Sequence, residues 1–195
     1  MDLKAFDLTP ETSDYPVKSI LLSRMLWDKG VGEFVAAAEQ LKKKHGDKAE
    51  FILAGKVDPE NASCITKEQL EQWNVEGNVN WIGFQKDVIG LYRNSHIAVL
   101  PSYREGLPKS LIEALAIGRP VVTTDAPGCR VVVNPGVNGY LVKLQDADSL
   151  AEAMDKLIKD KALRQRMGIA GRKMAEEEFS IDMVLDKTFE IYENA

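Results

Sequence analysis

A regular alternation of short apolar runs and amphipathic segments is the feature of this 195-residue sequence that most restricts its fold. Runs rich in branched apolar residues predict buried strands at 17–23, 49–55, 79–83, 96–100 and 120–124. Segments with helical spacing follow the first four runs, at 31–44, 66–73, 87–94 and 108–117. Because connections of this kind keep successive strands parallel, the sequence predicts an α/β fold with a doubly wound parallel sheet. Such sheets bind ligands at the carboxyl edge of their strands.

The stretch from Val99 to Asp125 is where a ligand site is expected. Its central segment carries the apolar stripe of a helix, formed by Leu111, Ile112, Leu115 and Ala116. Pro108 suits the first turn of this helix and Gly118 suits the position just past its end. The N-terminus of the helix therefore opens where strand 96–100 ends. Free backbone N–H groups at such a position favour phosphate or another anion.

Two carboxylates accompany this element, with Glu105 in the preceding loop and Glu113 near the second helical turn. Positions eight apart on a helix differ by only about 80° around its axis. The two side chains can therefore face one cleft. The residues alone leave another interpretation open, in which Glu105 is a solvated loop acid and Glu113 interacts with the helix dipole.

The string PSYREGLPKSLIEALAIGRPVVTTDAPG, residues 101–128, resembles the signature of family 4 retaining glycosyltransferases, in the donor half of GT-B enzymes. The pattern shared with that family is Pro-Ser, Glu-Gly followed by a hydrophobic residue, Glu-Ala, Gly and Pro-Val-Val. The resemblance implies that Glu113 holds the ribose of a nucleotide sugar and that Glu105 holds the hydroxyls of the donor sugar. It further implies that the sugar and pyrophosphate contact the backbone of Gly106, Leu107, Pro108, Lys109 and Ser110.

The loop after the first strand resembles the family's GR-x-x-x-x-KG pattern, with Ser23 in place of the usual glycine. Arg24 and Lys29 match the two cations of that pattern, which neutralise the donor pyrophosphate. The leaving group gains negative charge as the glycosidic bond breaks, and fixed cations stabilise that charge. Arg24, Lys29 and Glu105 are therefore the predicted catalytic residues. Without the resemblance, the two cations would be read as ordinary exposed side chains.

The resemblance also implies a pocket for the nucleobase at the end of strand 79–83. Backbone at this position holds the base in relatives, so that Gly83, Phe84 and Gln85 would frame it. A core position is the alternative for the Phe84 ring. One departure from the family is Val131, which stands where relatives often carry Glu.

Three regions are predicted along the chain. Residues 1–16 are polar, contain two prolines and lack periodicity, which predicts a linker or arm between domains. Residues 17–178 form the predicted Rossmann-like domain that binds the nucleotide sugar. Residues 179–195 include a predicted helix at 181–193 that resembles the helix crossing back to the other domain in GT-B enzymes. The resemblance thus implies a partner outside these 195 residues, an N-terminal acceptor-binding domain of the same protein.

Composition limits the remaining possibilities. A content of 45% hydrophobic and 28% charged residues suffices for one globular domain with a core. The net charge of −5 argues against nucleic-acid binding and against a polybasic membrane surface. Because the sequence has no run of 18 apolar residues, any membrane contact is expected to be peripheral or to lie in a missing part. Cys64 and Cys129 lack zinc-site spacing and suggest reduced thiols in a cytoplasmic protein. We therefore expect no metal and no cofactor beyond the UDP- or GDP-sugar donor.

Fold alone does not assign a function. The first strand is not followed by G-x-G-x-x-G, which disfavours dinucleotide redox chemistry, and its loop lacks the crowded acids of a receiver domain. The first hypothesis is the donor-binding half of a retaining hexosyltransferase that acts in the synthesis of a polysaccharide or glycolipid. Two alternatives remain open: an epimerase or phosphorylase of similar architecture, and a non-catalytic sensor of sugar nucleotides.

Overall fold

A computed structural model describes residues 3, 5–11, 15–181 and 183. Within these residues, the strands are β1 Val17–Leu22, β2 Ala49–Ala54, β3 Asn80–Trp81, β4 Ile97–Leu100, β5 Val121–Thr124 and β6 Gly139–Val142. They form one parallel sheet in the order β3-β2-β1-β4-β5-β6. The predicted α/β class and doubly wound parallel sheet are confirmed. The strand order reverses direction between β1 and β4, which is where open sheets of this kind bind ligands.

Helices cover both faces of the sheet. In the described part of the chain, they are α1 Val31–His45, α2 Lys67–Val75, α3 Val88–Arg93, α4 Lys109–Ile117, α5 Pro127–Arg130, α6 Ala147–Lys159 and α7 Lys161–Glu178. Short 3-10 turns precede and follow α1, at Trp27–Lys29 and Gly46–Lys48. The predicted helix at 181–193 lies almost entirely outside the described residues.

The core has two layers because successive residues of a strand point to opposite faces of the sheet. On one face, Leu21, Leu53 and Val99 pack under α1, α2 and α6. On the other face, Ile20, Ala98 and their neighbours pack under α3, α4 and α7. All four residues of β4 are buried, as expected for a central parallel strand.

Several element boundaries differ from the prediction by one or two residues, and glycine or proline geometry explains two of these differences. Strand β3 spans 80–81 rather than 79–83, and Gly83 turns the chain with a φ of +68°. Helix α4 begins at Lys109, and Pro108 caps it with extended backbone rather than forming its first turn. The predicted end of α4 is confirmed, since Gly118 takes the left-handed conformation with a φ of +86°.

Residues 5–11 of the predicted arm lie against α4 and α7. The Glu11 carboxylate accepts two hydrogen bonds of 2.9 Å from the Arg164 guanidinium, and the two side chains are 4% and 2% exposed. The Arg119 guanidinium donates to the Thr9 carbonyl at 2.7 Å, and Arg172 donates to the carbonyl of Phe6. Buried arginines thus hold this segment to the domain. Its role as a connection between domains stays a prediction.

Candidate functional site

The loops that follow β1 and β4 meet at the carboxyl edge of the sheet. The Tyr103 N–H and the Ser102 hydroxyl both donate to the Asp28 carbonyl, at 2.9 and 3.2 Å. Gly30 has a φ of +71°, and a Cβ atom there would lie 2.1 Å from the Pro101 carbonyl oxygen. Only glycine fits this close approach, so the sequence at Gly30 fixes how the two loops pack.

This packing brings Lys29 next to Glu105. Lys29 is predicted to contact the diphosphate of the ligand, and Glu105 is predicted to contact the sugar. Lys29 Nζ lies 2.7 Å from Glu105 Oε1, and the two side chains are 20% and 14% exposed. Glu105 lies four residues before the start of α4, so helix geometry does not set the direction of its side chain. The ion pair with Lys29 sets that direction. The carboxylate is held at the mouth of the crevice between β1 and β4.

Helix α5, which follows β5, packs against the backbone of the loop that carries Glu105. Gly128 packs against the carbonyls of Glu105 and Gly106, where a Cβ atom would lie 2.2 and 2.3 Å from the two oxygens. The neighbouring Cys129 thiol is fully buried. Burial raises the pKa of Cys129 and the Glu105 charge adds to this effect, whereas the charge of Lys29 opposes it. The Cys129 thiol is therefore held neutral in the neighbourhood of the Lys29 and Glu105 charges.

Arg24 points to a different partner. Its Nη1 lies 2.7 Å from Asp58 Oδ2, in the loop that follows β2. The Arg24 side chain is 49% exposed, and the Asp58 side chain is 22% exposed. The two predicted cations therefore each contact a different carboxylate. No motif in the sequence predicted a role for Asp58, whose local signal is an acid placed shortly after the end of a buried strand.

Glu113 lies on α4, on the side that faces α3. It is half-buried, and burial raises the pKa of its carboxyl group while the Lys109 charge partly opposes the shift. Tyr92 of α3 is buried nearby, and its pKa is raised by burial and by Glu113, whereas its hydrogen bond with Ser110 opposes the rise. The Glu113 carboxyl group is therefore partly desolvated.

The predicted backbone contacts surround the start of α4. Gly106, Leu107 and Lys109 are exposed, whereas Pro108 is buried and Ser110 is half-buried. The first N–H groups of a helix have no acceptor within the helix, and the helix dipole makes this end positive. This segment can accept an anion close to the Lys29–Glu105 pair.

The predicted base pocket follows β3. Gly83 accepts a hydrogen bond of 2.8 Å from the Gly55 N–H, and Gln85 Nε2 donates to the Ile82 carbonyl at 2.7 Å. The Phe84 side chain is 65% exposed, so the alternative of a core aromatic is wrong. Its ring is free to stack against a flat ligand group.

A second contact missed by the sequence analysis joins the β4 loop to α1. The Tyr103 hydroxyl donates to Glu33 Oε1 at 2.6 Å. Burial, reinforced by the hydrogen bond and charge of Glu33, raises the pKa of Tyr103 to about 12. Since these residues are 70 positions apart, no local pattern signals their contact. The bond holds the loop that carries Glu105.

The described residues contain no cluster of three or more His, Cys, Asp or Glu side chains suited to a metal ion. None of the helices in the same residues is both long enough and apolar enough to cross a membrane.

Curated relatives resemble the chain over most of its length. It is 39% identical over 145 residues to an N,N'-diacetylbacillosaminyl-diphospho-undecaprenol alpha-1,3-N-acetylgalactosaminyltransferase of Campylobacter jejuni, covering 74% of this chain and 36% of the relative. It is 31% identical over 171 residues to the capsular polysaccharide biosynthesis glycosyltransferase CapM of Staphylococcus aureus, covering 88% of this chain and 44% of the relative. The chain thus spans less than half the length of these relatives.

Solved structures share the fold. Anabaena HepE in complex with UDP superposes with a TM-score of 0.86 at 22% identity, over 100% of this chain and 56% of that one. The C-terminal domain of the glycosyl transferase group 1 protein LpcC from Francisella tularensis superposes with a TM-score of 0.80 at 24% identity, over 93% of this chain and 99% of that one. At such identities the likeness concerns the fold, which is the Rossmann-like fold found in GT-B enzymes.

The family model provides the decisive match. The model described as glycosyl transferases group 1 covers residues 10–174, which include all six strands and the Lys29–Glu105 pair. This chain therefore belongs to the glycosyl transferases group 1 family.

Proposed function

We propose that this chain is the donor-binding domain of a retaining glycosyltransferase, which transfers a hexosyl group from a UDP- or GDP-sugar. The observation that carries the proposal is the 2.7 Å contact between Lys29 and Glu105 at the point where the strand order reverses. At this edge of the sheet, the Lys29 cation suits the diphosphate of a nucleotide sugar, and the Glu105 carboxylate suits the hydroxyls of its sugar. Membership of the glycosyl transferases group 1 family supports a nucleotide sugar over the other ligands that folds of this kind bind.

The proposed roles follow the chemistry of each group. Lys29 and Arg24 stabilise the charge that develops on the diphosphate leaving group, with Lys29 placed next to the sugar-binding carboxylate. When the diphosphate binds the Lys29 ammonium group in place of Glu105, the Glu105 carboxylate can accept hydrogen bonds from the sugar hydroxyls. Before the donor binds, Lys29 and Glu105 thus neutralise each other. Neither the diphosphate contact nor the sugar contact then contains an unpaired charge.

The nucleoside occupies the other proposed contacts. Glu113 accepts hydrogen bonds from the ribose hydroxyls, and its partial burial strengthens such bonds because little water competes for them. The exposed Phe84 ring stacks on the base, framed by Gly83 and Gln85. The backbone of 106–110 contacts the sugar and pyrophosphate at the start of α4, where the helix dipole favours negative charge.

Transfer requires a second binding surface in this proposal. The acceptor hydroxyl must be held against the anomeric carbon, and orienting two reactants can lower a barrier by about 7–11 kcal/mol. We assign that surface to an N-terminal domain of the same protein, joined through residues 1–16 and 179–195. The relatives named for undecaprenol-linked and capsular products support a glycolipid or polysaccharide acceptor.

Titration calorimetry with UDP, GDP and their hexose derivatives tests the donor site. We expect binding of one nucleoside diphosphate and tighter binding of one of its sugars. Binding of phosphate or free sugar without nucleotide selectivity would instead favour a phosphorylase or a sensor.

Activity assays test the division between domains. We expect the 195 residues to transfer no sugar to glycan or glycolipid acceptors and to hydrolyse the donor only slowly, since the open crevice admits water. The same chain with an N-terminal extension from its parent protein should transfer. Sustained transfer by the 195 residues alone would disprove the assignment of a second acceptor domain.

A further inference from the structure

The loop that follows β2, residues 55–66, is bonded directly to the loop that carries both predicted cations. Four hydrogen bonds join the two: Met25 N–H to the Lys56 carbonyl at 3.0 Å, Ile65 N–H to the Met25 carbonyl at 3.0 Å, Trp27 N–H to the Ser63 carbonyl at 2.8 Å, and Asp28 N–H to Ser63 Oγ at 3.0 Å. Leu26 and Cys64 also pair as an antiparallel bridge. The 55–66 loop therefore forms one unit with the Arg24–Lys29 loop.

Asp58 is the acidic group that this unit presents to Arg24. The Asn61 N–H donates to the Asp58 carbonyl at 3.0 Å, and Asn61 Oδ1 accepts from the Ser63 N–H at 2.9 Å, so a bonded turn holds Asp58 in place. The Asp58 side chain is 22% exposed, whereas that of Arg24 is 49% exposed. The carboxylate is thus the fixed partner of the 2.7 Å ion pair, and the guanidinium on its long side chain is the one that can move.

The two ion pairs of the site differ in one respect. Glu105, which pairs with Lys29, is also proposed to bind the donor sugar. Asp58 lies on the loop of the neighbouring strand β2 and has no such role. When the diphosphate arrives, Glu105 can turn to sugar hydroxyls, whereas Asp58 remains a negative charge beside the guanidinium that the diphosphate needs.

We propose that Asp58 is an internal counter-ion that competes with the donor diphosphate for Arg24 and thereby limits the affinity for nucleoside diphosphates. This inference rests on the proposed function of the site. Before binding, Asp58 and Glu105 balance the charges of Arg24 and Lys29. Binding exchanges one anionic partner of Arg24 for another, so the net gain is smaller than for an unpaired cation. After transfer, the same carboxylate recaptures Arg24 and favours release of the nucleoside diphosphate.

Asp58→Asn tests this competition, because asparagine keeps the shape of the side chain and removes its charge. Calorimetry with UDP or GDP, whichever the parent chain binds, should show about two- to fivefold tighter binding, the range expected for a surface ion pair. The gain should shrink as salt is raised, and affinity for the nucleoside without phosphates should not change. Glu60→Gln, an exposed acid on the same loop, is the matched control and should not reproduce the gain.

The Arg24→Ala background identifies the partner. In that background, adding Asp58→Asn should give little further gain in diphosphate affinity, because the cation in competition is absent. An equal gain in both backgrounds would overturn the proposal, since Asp58 would then act by general repulsion. Unchanged or weaker diphosphate binding by Asp58→Asn would also overturn it, and weaker binding would make Asp58 a supporting residue.

Two controls keep the outcomes separate. Circular dichroism and the melting temperature establish that each variant is folded, and Asp58→Ser replaces Asp58→Asn if the latter is not. A parent chain that binds neither nucleoside diphosphate defeats the proposed function together with this inference. A parent chain that binds, combined with an Asp58 variant that does not bind more tightly, defeats this inference alone.

Discussion

Lys29 and Glu105 lie 76 positions apart in the chain, yet Lys29 Nζ is 2.7 Å from Glu105 Oε1. One residue comes from the loop after β1 and the other from the loop after β4, and these two strands are neighbours at the reversal of the strand order. The contact couples the predicted diphosphate and sugar groups. A substitution of either residue therefore changes the electrostatic environment of the other.

This coupling gives Glu105→Gln an asymmetric expected effect. The variant loses a charged acceptor for the sugar hydroxyls. The ratio of the affinity for the nucleotide sugar to the affinity for the bare nucleoside diphosphate should therefore fall about tenfold or more. Affinity for the bare diphosphate should be maintained or increased, because Lys29 no longer shares its charge with a carboxylate. Calorimetry with both ligands measures the difference, and Glu68→Gln on exposed α2 is the control. Equal losses for the two ligands would show that Glu105 does not contact the sugar.

Glu113→Gln should weaken binding of nucleoside and nucleoside diphosphate alike, because the ribose is common to both. The loss of a charge-assisted bond corresponds to about 1.5–3 kcal/mol. Burial raises the folded-state pKa of Glu113 above its unfolded value, so this carboxyl group favours folding below the unfolded pKa, and that contribution is lost as pH rises through the folded-state pKa. The variant should therefore be at least as stable as the parent at neutral pH. Unaltered nucleotide affinity in a folded variant would exclude the ribose role.

Lys29→Ala and Arg24→Ala should reduce diphosphate affinity more than nucleoside affinity, and the reduction should shrink in high salt. Their effects on stability should differ. Lys29→Ala leaves a largely buried Glu105 carboxylate without its cation and should cost roughly 1–3 kcal/mol, whereas Arg24→Ala removes an exposed partner at little cost. Urea denaturation measures both stabilities. Matching losses for nucleoside and diphosphate would rule out a phosphate role.

Asp155 should make the free energy of unfolding depend on pH in the acidic range. Burial raises its pKa, but hydrogen bonds from Lys159, Lys44 and His45 outweigh burial and lower the pKa to about 2. A lowered folded-state pKa stabilises the protein above the unfolded value near 4, and this contribution is lost as pH falls toward 2. Asp155→Asn should cost about 1–2 kcal/mol at pH 6 and much less at pH 2.

Urea unfolding of parent and variant between pH 2 and pH 6 measures this convergence. Asp47→Asn, at a fully exposed carboxylate, is the control and should follow the parent throughout. A cost of Asp155→Asn that stays constant over the whole range would contradict a role for the ionised carboxylate.

Glu11→Gln should destabilise the domain strongly. Glu11 and Arg164 are almost completely buried, and removing one charge leaves the guanidinium without its counter-ion, at a cost of about 3–5 kcal/mol. Glu39→Gln, in an exposed ion pair on α1, should cost less than about 1 kcal/mol. Comparable midpoints of urea unfolding for the two variants would show that residues 5–11 do not contribute to the stability of the fold.

The sequence alone determined the elements and their order. The stretch predicted as a helix at 31–44 lies within α1 Val31–His45, and the apolar run at 96–100 contains β4 Ile97–Leu100. Such features depend on apolar spacing and on glycine or proline at element ends, and both are local properties of the chain. The motif at 101–128 also identified Glu105 and Glu113 as candidate site residues, since it too is a continuous stretch.

Tertiary structure alone decided which of these groups meet. Placement of β1 between β2 and β4 brings the loop of Arg24 and Lys29 against two other loops, so that each cation contacts a different carboxylate. The same is true of Glu11 and Arg164, which are 153 positions apart. An ion pair depends on distances of a few ångströms between side chains, whereas sequence patterns constrain only the conformation of neighbouring residues. Strand order and loop packing supply those distances, and no local pattern encodes them.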